Sequence, residues 1–248
     1  MLFDREQSFT VKLNWCSRIF QVLAVILSAL LMADMIAHAM RFGFGFTSKS
    51  SLSFIRLFDL NEEANIPTWF SSIMLVSCSA MIALIGLAKR AIGDRWMRHW
   101  LALSVIFLLM SLDEIASIHE RTSRLLHIIF ELSPILTNAW VLLALPLLTL
   151  LLFLYARFLL YLPRRTLWLF LLSGAIYIGG VMGVEMFSGL MKYNYGTADL
   201  RFALMTTLEE FLEMLGVIAF FYALTDYAGR EQIVWKLTFA TREQKKHG

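Results

Sequence analysis

Residues 15–40 read WCSRIFQVLAVILSALLMADMIAHAM, an apolar run interrupted near its end by Asp34 and His38. At 1.5 Å per residue, a helix of about twenty apolar residues crosses roughly 30 Å of hydrocarbon. The run therefore predicts a membrane-spanning helix. It also poses the question that governs the rest of the chain, because an unpaired charge near mid-bilayer costs about 2.5–3.5 kcal/mol on insertion scales. A carboxylate in such a helix needs a proton, a base or a cation.

The same pattern recurs at residues 67–87, 100–120, 140–162, 167–191 and 202–227, in a chain of 248 residues that is 58% hydrophobic with a mean hydropathy of +0.66. The sequence thus predicts an all-α integral membrane bundle of about six transmembrane helices, forming one domain over residues 1–248. The remaining pieces, residues 41–66, 121–139 and a short charged tail at 228–248, are too short for a core of their own. The stretch from Thr122 to Thr137 carries Leu125, Leu126, Ile128, Ile129, Phe130 and Leu132 and ends at Pro134. It predicts a short helix lying on the membrane surface.

Orientation follows from the basic residues. The segments before the first helix, after the second, after the fourth and after the sixth, together with Arg18 and Arg157 at the adjoining helix ends, hold fifteen of the 22 Lys and Arg, which predicts that both termini are cytoplasmic. The sequence pI of about 8.9 reflects this partition, and with no basic patch interleaved with aromatics it implies no nucleic-acid partner. Ala37 and Ala39 form a small-x-small pair after an apolar run, but the polar lead and Asp34 favour a retained anchor over a cleaved signal peptide. Cys16 and Cys78 fall in different parts of the bundle and predict no disulfide.

The acids concentrate towards the outer side. Asp34 and His38, four residues apart, share a helix face. The third helix carries Asp113, Glu114, Ser117, His119 and Glu120, with Arg121 and Arg124 following, and the fifth carries Glu185 and then Lys192. The sixth enters from outside through Thr206, Glu209, Glu210 and Glu213. These residues are expected at one depth, lining a common interior. On an ideal helix His119 points about 120° away from Asp113 and so stands outside that first set. Acids in excess of the nearby bases point to bound protons or a divalent cation, and the mixture of many oxygens with few imidazoles suits a hard or borderline metal ion. The outer loop FDLNEEANIPTW, residues 58–69, offers Asn65 as a helix cap with Pro67 in the first turn. Its Asp59, Glu62 and Glu63 are candidates for the mouth of the acidic cavity. Gly179 and Gly183 form a GxxxG pair expected to pack helices closely.

FDLNEEANIPTWFSS, SLDEIASIHER and TLEEFLEM together resemble a group of bacterial polytopic inner-membrane proteins with no established activity. The resemblance marks Asp59, Glu62, Asn65, Pro67, Asp113, Glu114, His119, Glu120, Glu209, Glu210 and Glu213 as that group's characteristic positions, and it implies the bacterial inner membrane as the location. Intramembrane CAAX-type proteases need an Arg where this chain has Met214, and no Glu-x-x-His repeat of a di-iron bundle occurs. Ceramidase-like hydrolases share the residue types of Asp34, His38, Asp113, Ser117 and His119 but use a paired-His helix that is missing here. The leading expectation is an outward-facing acidic cavity that binds a divalent metal ion or protons and serves transport. A metal-dependent hydrolase acting on a lipid or envelope substrate and an accessory subunit clamping a membrane partner remain open alternatives.

Overall fold

In a computed structural model, described over residues 7–11, 16–46, 48–133, 138–233 and 235–239, the apolar stretches are helices. In chain order they are α1 (Cys16–His38), α2 (Lys49–Phe58), α3 (Ile66–Ala91), α4 (Met97–Ala116), α5 (Ile118–Phe130), α6 (Val141–Tyr161), α7 (Arg164–Ile178), α8 (Glu185–Tyr195) and α9 (Leu200–Arg230). Five of the described stretches, Arg18–Gly43, Ile66–Ala91, Met97–Ala116, Val141–Tyr161 and Arg164–Tyr195, are long and apolar enough to cross a membrane.

α9 is long enough as well, with 31 residues, but carries Glu209, Glu210 and Glu213 in its first half and Asp226 near its end. Near its start Thr207 bonds Asp34 at the end of α1, and near its finish the Tyr222 ring lies 5.3 Å from Phe20 at the start of α1. α9 therefore runs antiparallel to α1 along nearly its whole length. It occupies the middle of the bundle, packing against α1, α3, α7 and α8, and buries Met214, Val217, Ile218, Ala223 and Leu224.

Polar zippers and glycines set the helix spacings. Between α3 and α4, Ser72 and Ser111 hydroxyls stand 2.7 Å apart and Ser79 and Ser104 hydroxyls 3.1 Å apart, each pair also bonding the opposite carbonyls. Small hydroxyl residues let apolar helices approach and supply hydrogen bonds that lipid cannot. Between α7 and α9 the close approach is made by Gly216, where a Cβ would stand 2.7 Å from Tyr177 backbone, and by Gly180, where it would stand 3.0 Å from the Glu209 carbonyl. The expected pair Gly179 and Gly183 instead has open space around it, because a π-helical turn over Gly179–Val184 shifts the phase that the GxxxG spacing assumes.

Other boundaries differ from the expectation for local reasons. The third helix does not run to residue 120: Ser117 adopts φ 52°, ψ 43°, which ends α4 and starts α5 in a new direction. The first is followed by a π-helical turn over Ala39–Gly43, and the 41–66 loop contains α2, capped by Ser48 through its bond from Ser51 N–H. Asn65 caps α3, accepting from Thr68 N–H at 3.1 Å, with Pro67 in the first turn. The charged tail begins later than residue 228, since Ala228–Arg230 complete α9. A short ribbon then pairs β1 (Gln7–Val11) antiparallel with β2 (Trp235–Phe239), which brings the segments before α1 and after α9 together. The expected helix stop at Pro134 and the tail from residue 240 lie outside the described residues.

Candidate functional site: an acidic cavity and a buried Asp–His–Asp cluster

At the end of the bundle opposite the ribbon, α4, α5, α8, α9 and the loop before α3 enclose a cavity of about 280 Å³. Its walls carry Glu62, Glu63, Glu114, Glu120, Glu185, Glu209 and Glu210 against only two permanent cations, Arg124 and Lys192, with His119 and His127 as the imidazoles. Several carboxylates are individually held. Trp140 Nε1–H donates to Glu185 at 2.8 Å, Ser188 donates to Glu209 at 2.8 Å, Ser71 bonds Glu114, and Ser117 donates to Glu63. Asn138 adds a 3.0 Å bond to the Glu185 carbonyl. These neutral donors fix the acids without cancelling their charge. Among the described residues the ion pairs are few: Glu120 meets Arg124 at 3.3 Å on the exposed rim, while Arg201 lies over the Tyr195 ring instead. Acids that served only to neutralise Arg121, Arg124 and Arg201 would pair with all three.

Asp113 and His119 form the tightest charged pair at this end. The His119 backbone N–H donates to Asp113 at 2.8 Å and its ring Nδ1 stands 2.9 Å from the same carboxylate. The expectation that His119 would face away fails because the left-handed Ser117 reverses the chain and folds residue 119 back over residue 113. Burial alone would lower the imidazole pKa, but the hydrogen bond and charge of Asp113, helped by Glu185 and Glu120, push it up to about 9. His119 is therefore a cation at neutral pH and lines the cavity, while Asp113 faces an apolar cleft behind it.

Asp34, His38 and Asp59 assemble separately. Asp34 is 0% exposed, Asp59 2% and His38 4%, and their ligand-type atoms lie within 4.8 Å of one another, so the group could hold a metal ion. As arranged, much of its bonding capacity is satisfied by protein. Leu60 N–H and the Thr207 hydroxyl donate to Asp34 at 3.0 and 2.7 Å, Asn61 N–H donates to Asp59 at 3.0 Å, and His38 Nε2 contacts Thr207 at 3.0 Å and Asp34 at 3.4 Å. His38 Nδ1 is buried without a partner. Arg41 approaches Asp59 at 3.8 Å. Desolvation raises the Asp59 pKa and the charge of Asp34 adds to it, outweighing the Asn61 bond and the His38 and Arg41 charges.

The acids thus divide into two groups. Glu114, Glu120, Glu185, Glu209, Glu210 and His119 meet in the cavity, with Glu62 and Glu63 of the loop. Asp34 and His38 do not join them, and Asp59 is buried beside those two instead of standing at the mouth. The reason is Thr207. The sequence directs attention to Thr206 and the glutamates, but the next residue projects from another face of α9 and gathers α1 and the loop there. Glu213, one turn deeper than Glu209 and Glu210, is tucked beside Gly180 and is not among the lining residues. Trp140, Asn138 and Ser188 were missed as site residues. Trp140 reads as an ordinary interfacial anchor, and no spacing in the sequence announces that its indole reaches Glu185.

The family follows from the extent of the match, which runs over residues 19–227 and takes in both clusters. The chain belongs to DUF8692, a domain of unknown function. No curated protein and no solved structure matches the chain. The DUF8692 match runs from the first turn of α1 to the last turn of α9 and leaves out the β1–β2 ribbon.

Proposed function

We propose that this is a six-span protein of the bacterial inner membrane, with both termini cytoplasmic, whose outward-facing acidic cavity binds a divalent cation or protons and couples that binding to transport. The observation that carries the reading is the charge balance of the cavity: seven glutamates face Arg124, Lys192 and the His119 cation. Like charges gathered in a poorly solvated place are stabilised by an added cation or by shared protons. The positive-inside distribution supports the orientation, the pairing of residues 7–11 with 235–239 supports a common side for the two segments, and α9 lying antiparallel to α1 supports the sixth crossing.

Titration of the full-length protein in detergent with Mn²⁺, followed by metal analysis and proton release, tests the proposal. Uptake of metal or protons that Glu210→Gln weakens is the expected result, and a protein that takes up neither overturns it.

A second reading, a membrane-embedded metal-dependent hydrolase of lipid or envelope substrates, is favoured by the buried Asp34–His38–Asp59 group, whose two carboxylates and one imidazole suit a catalytic metal. Against it stand the Thr207, Leu60 and Asn61 donors already satisfying the two carboxylates. Turnover of a lipid ester that Asp59→Asn abolishes would favour this reading over transport.

A further inference from the structure

Behind the acidic cavity lies a larger space of quite different chemistry. α4, α6, α7 and α9 enclose a cleft of about 560 Å³ lined by Phe107, Met110, Leu148, Leu151, Val217 and Phe220 among other apolar residues. α6 is held at both ends and stands off in between. At its outer end Trp140 bonds Ser123 at 3.1 Å and Glu185 at 2.8 Å. Near its inner end the Tyr155 hydroxyl donates to the His99 carbonyl at 3.0 Å, and Phe158 packs on Trp96 and Trp100 at 5.8 and 5.1 Å between ring centres. Pro146 lies in the intervening stretch, where it removes a helix hydrogen bond and favours a bend. The cleft and the acidic cavity share a wall, with Trp140 lining both and Asp113 on the cleft side bonded to His119 on the cavity side.

We propose that the cleft binds the hydrocarbon tail of a zwitterionic aminophospholipid whose ammonium group enters the acidic cavity. The inference rests on the reading of that cavity as a cation site and adds the class of molecule that presents the cation. Size favours a lipid over a helix of another protein. The cleft falls in the ~300–1,000 Å³ range of small-molecule pockets, whereas a spanning helix about 30 Å long and 10 Å across occupies on the order of 2,000 Å³. Charge decides the headgroup. Glu185, Glu209 and Glu210 offer anionic partners for an ammonium, and Lys192 and Arg124 in the same cavity offer partners for a phosphate. An anionic lipid such as phosphatidylglycerol supplies the phosphate without the ammonium and meets the surplus of carboxylates unshielded.

The cleft contains a convenient place to block it. Gly174 lines it, and a Cβ at that position would meet nothing within 4 Å. Gly174→Phe therefore fills the space without a clash at Cβ, and Leu148→Phe narrows it from the α6 wall. The full-length protein is reconstituted in nanodiscs of phosphatidylethanolamine and phosphatidylglycerol, extracted, and its retained lipid read by native mass spectrometry, with Mn²⁺ uptake and melting temperature measured on the same samples. The parent should retain phosphatidylethanolamine over phosphatidylglycerol by about tenfold. Gly174→Phe and Leu148→Phe should each cut that retention by about tenfold with melting unchanged, and Glu210→Gln should erase the preference between headgroups.

Equal retention of the two lipids by the parent overturns the proposal, as does undiminished retention by both blocked variants. Displacement of a stoichiometric partner chain by the blocked variants overturns it in favour of a protein interface. Mn²⁺ uptake separates the two claims: if the parent takes up metal and Glu210→Gln weakens this while lipid retention follows none of these patterns, the cation site stands and the lipid inference falls alone.

Discussion

His119 is the residue whose chemistry depends most on an unforeseen turn. Its cationic state comes from Asp113, brought within 2.9 Å by the reversal at Ser117. Because the folded pKa, about 9, lies above the ordinary 6.5, the pair's contribution to stability is fully present below pH ~6.5 and is lost as pH rises through about 9. NMR of the His side chains should show His119 titrating near pH 9, with Asp113→Asn returning it to the ordinary range or below. A titration near 6.5 in the parent would break the link between the turn and the charge. The sequence displays both residues and their acidic neighbours, since carboxylates in apolar helices stand out by cost alone. Their pairing was illegible because helical phasing holds only while the helix continues, and a serine at φ 52° carries no signature that glycine would have given.

At the scale of elements, the spanning helices were legible and their local departures were not. Hydropathy locates α1, α3, α4, α6 and the α7–α8 stretch because only apolar runs of that length meet the bilayer's demand. Two π-helical turns, Ala39–Gly43 and Gly179–Val184, adjoin His38 and Glu185 respectively. Each inserts extra backbone and turns the residues after it, a feature often found where helices carry function. α2 was missed for a different reason: at ten residues it is too short to register as a hydropathy run. The close contact of α7 with α9 passes through Gly216, which has no Cβ to collide with Tyr177 at 2.7 Å. Gly216→Ala should therefore lower stability by about 1–3 kcal/mol through overpacking, measured as a fall in melting temperature, while Gly183→Ala, with open space around it, should not. Equal effects would contradict the assigned packing.

For the whole molecule, the arrangement is polarised. The end next to the β1–β2 ribbon is closed by ordinary pairs, Lys89 to Glu231 at 2.8 Å and Asp226 to Arg165 and Arg230 at 3.1 and 2.9 Å. The other end gathers acids around a cavity with too few bases. β1 and β2 pair and so lie on one side, and on the proposed positive-inside orientation reporters fused before Met1 and after Gly248 should both be active only in the cytoplasm. Activity of either on the outer side would invert the placement of every acid.

Central to this account is that the cavity carboxylates repel one another and await a cation, as opposed to serving as counterions for buried bases. Glu210→Gln distinguishes the two when melting temperature, bound metal and proton uptake are measured on the same purified samples as the parent. Relief of repulsion predicts folding as stable as the parent or more so, with metal or proton binding weakened. A stability loss of about 3–5 kcal/mol, the cost of stranding a buried base, in a protein whose parent binds neither metal nor protons, would contradict it.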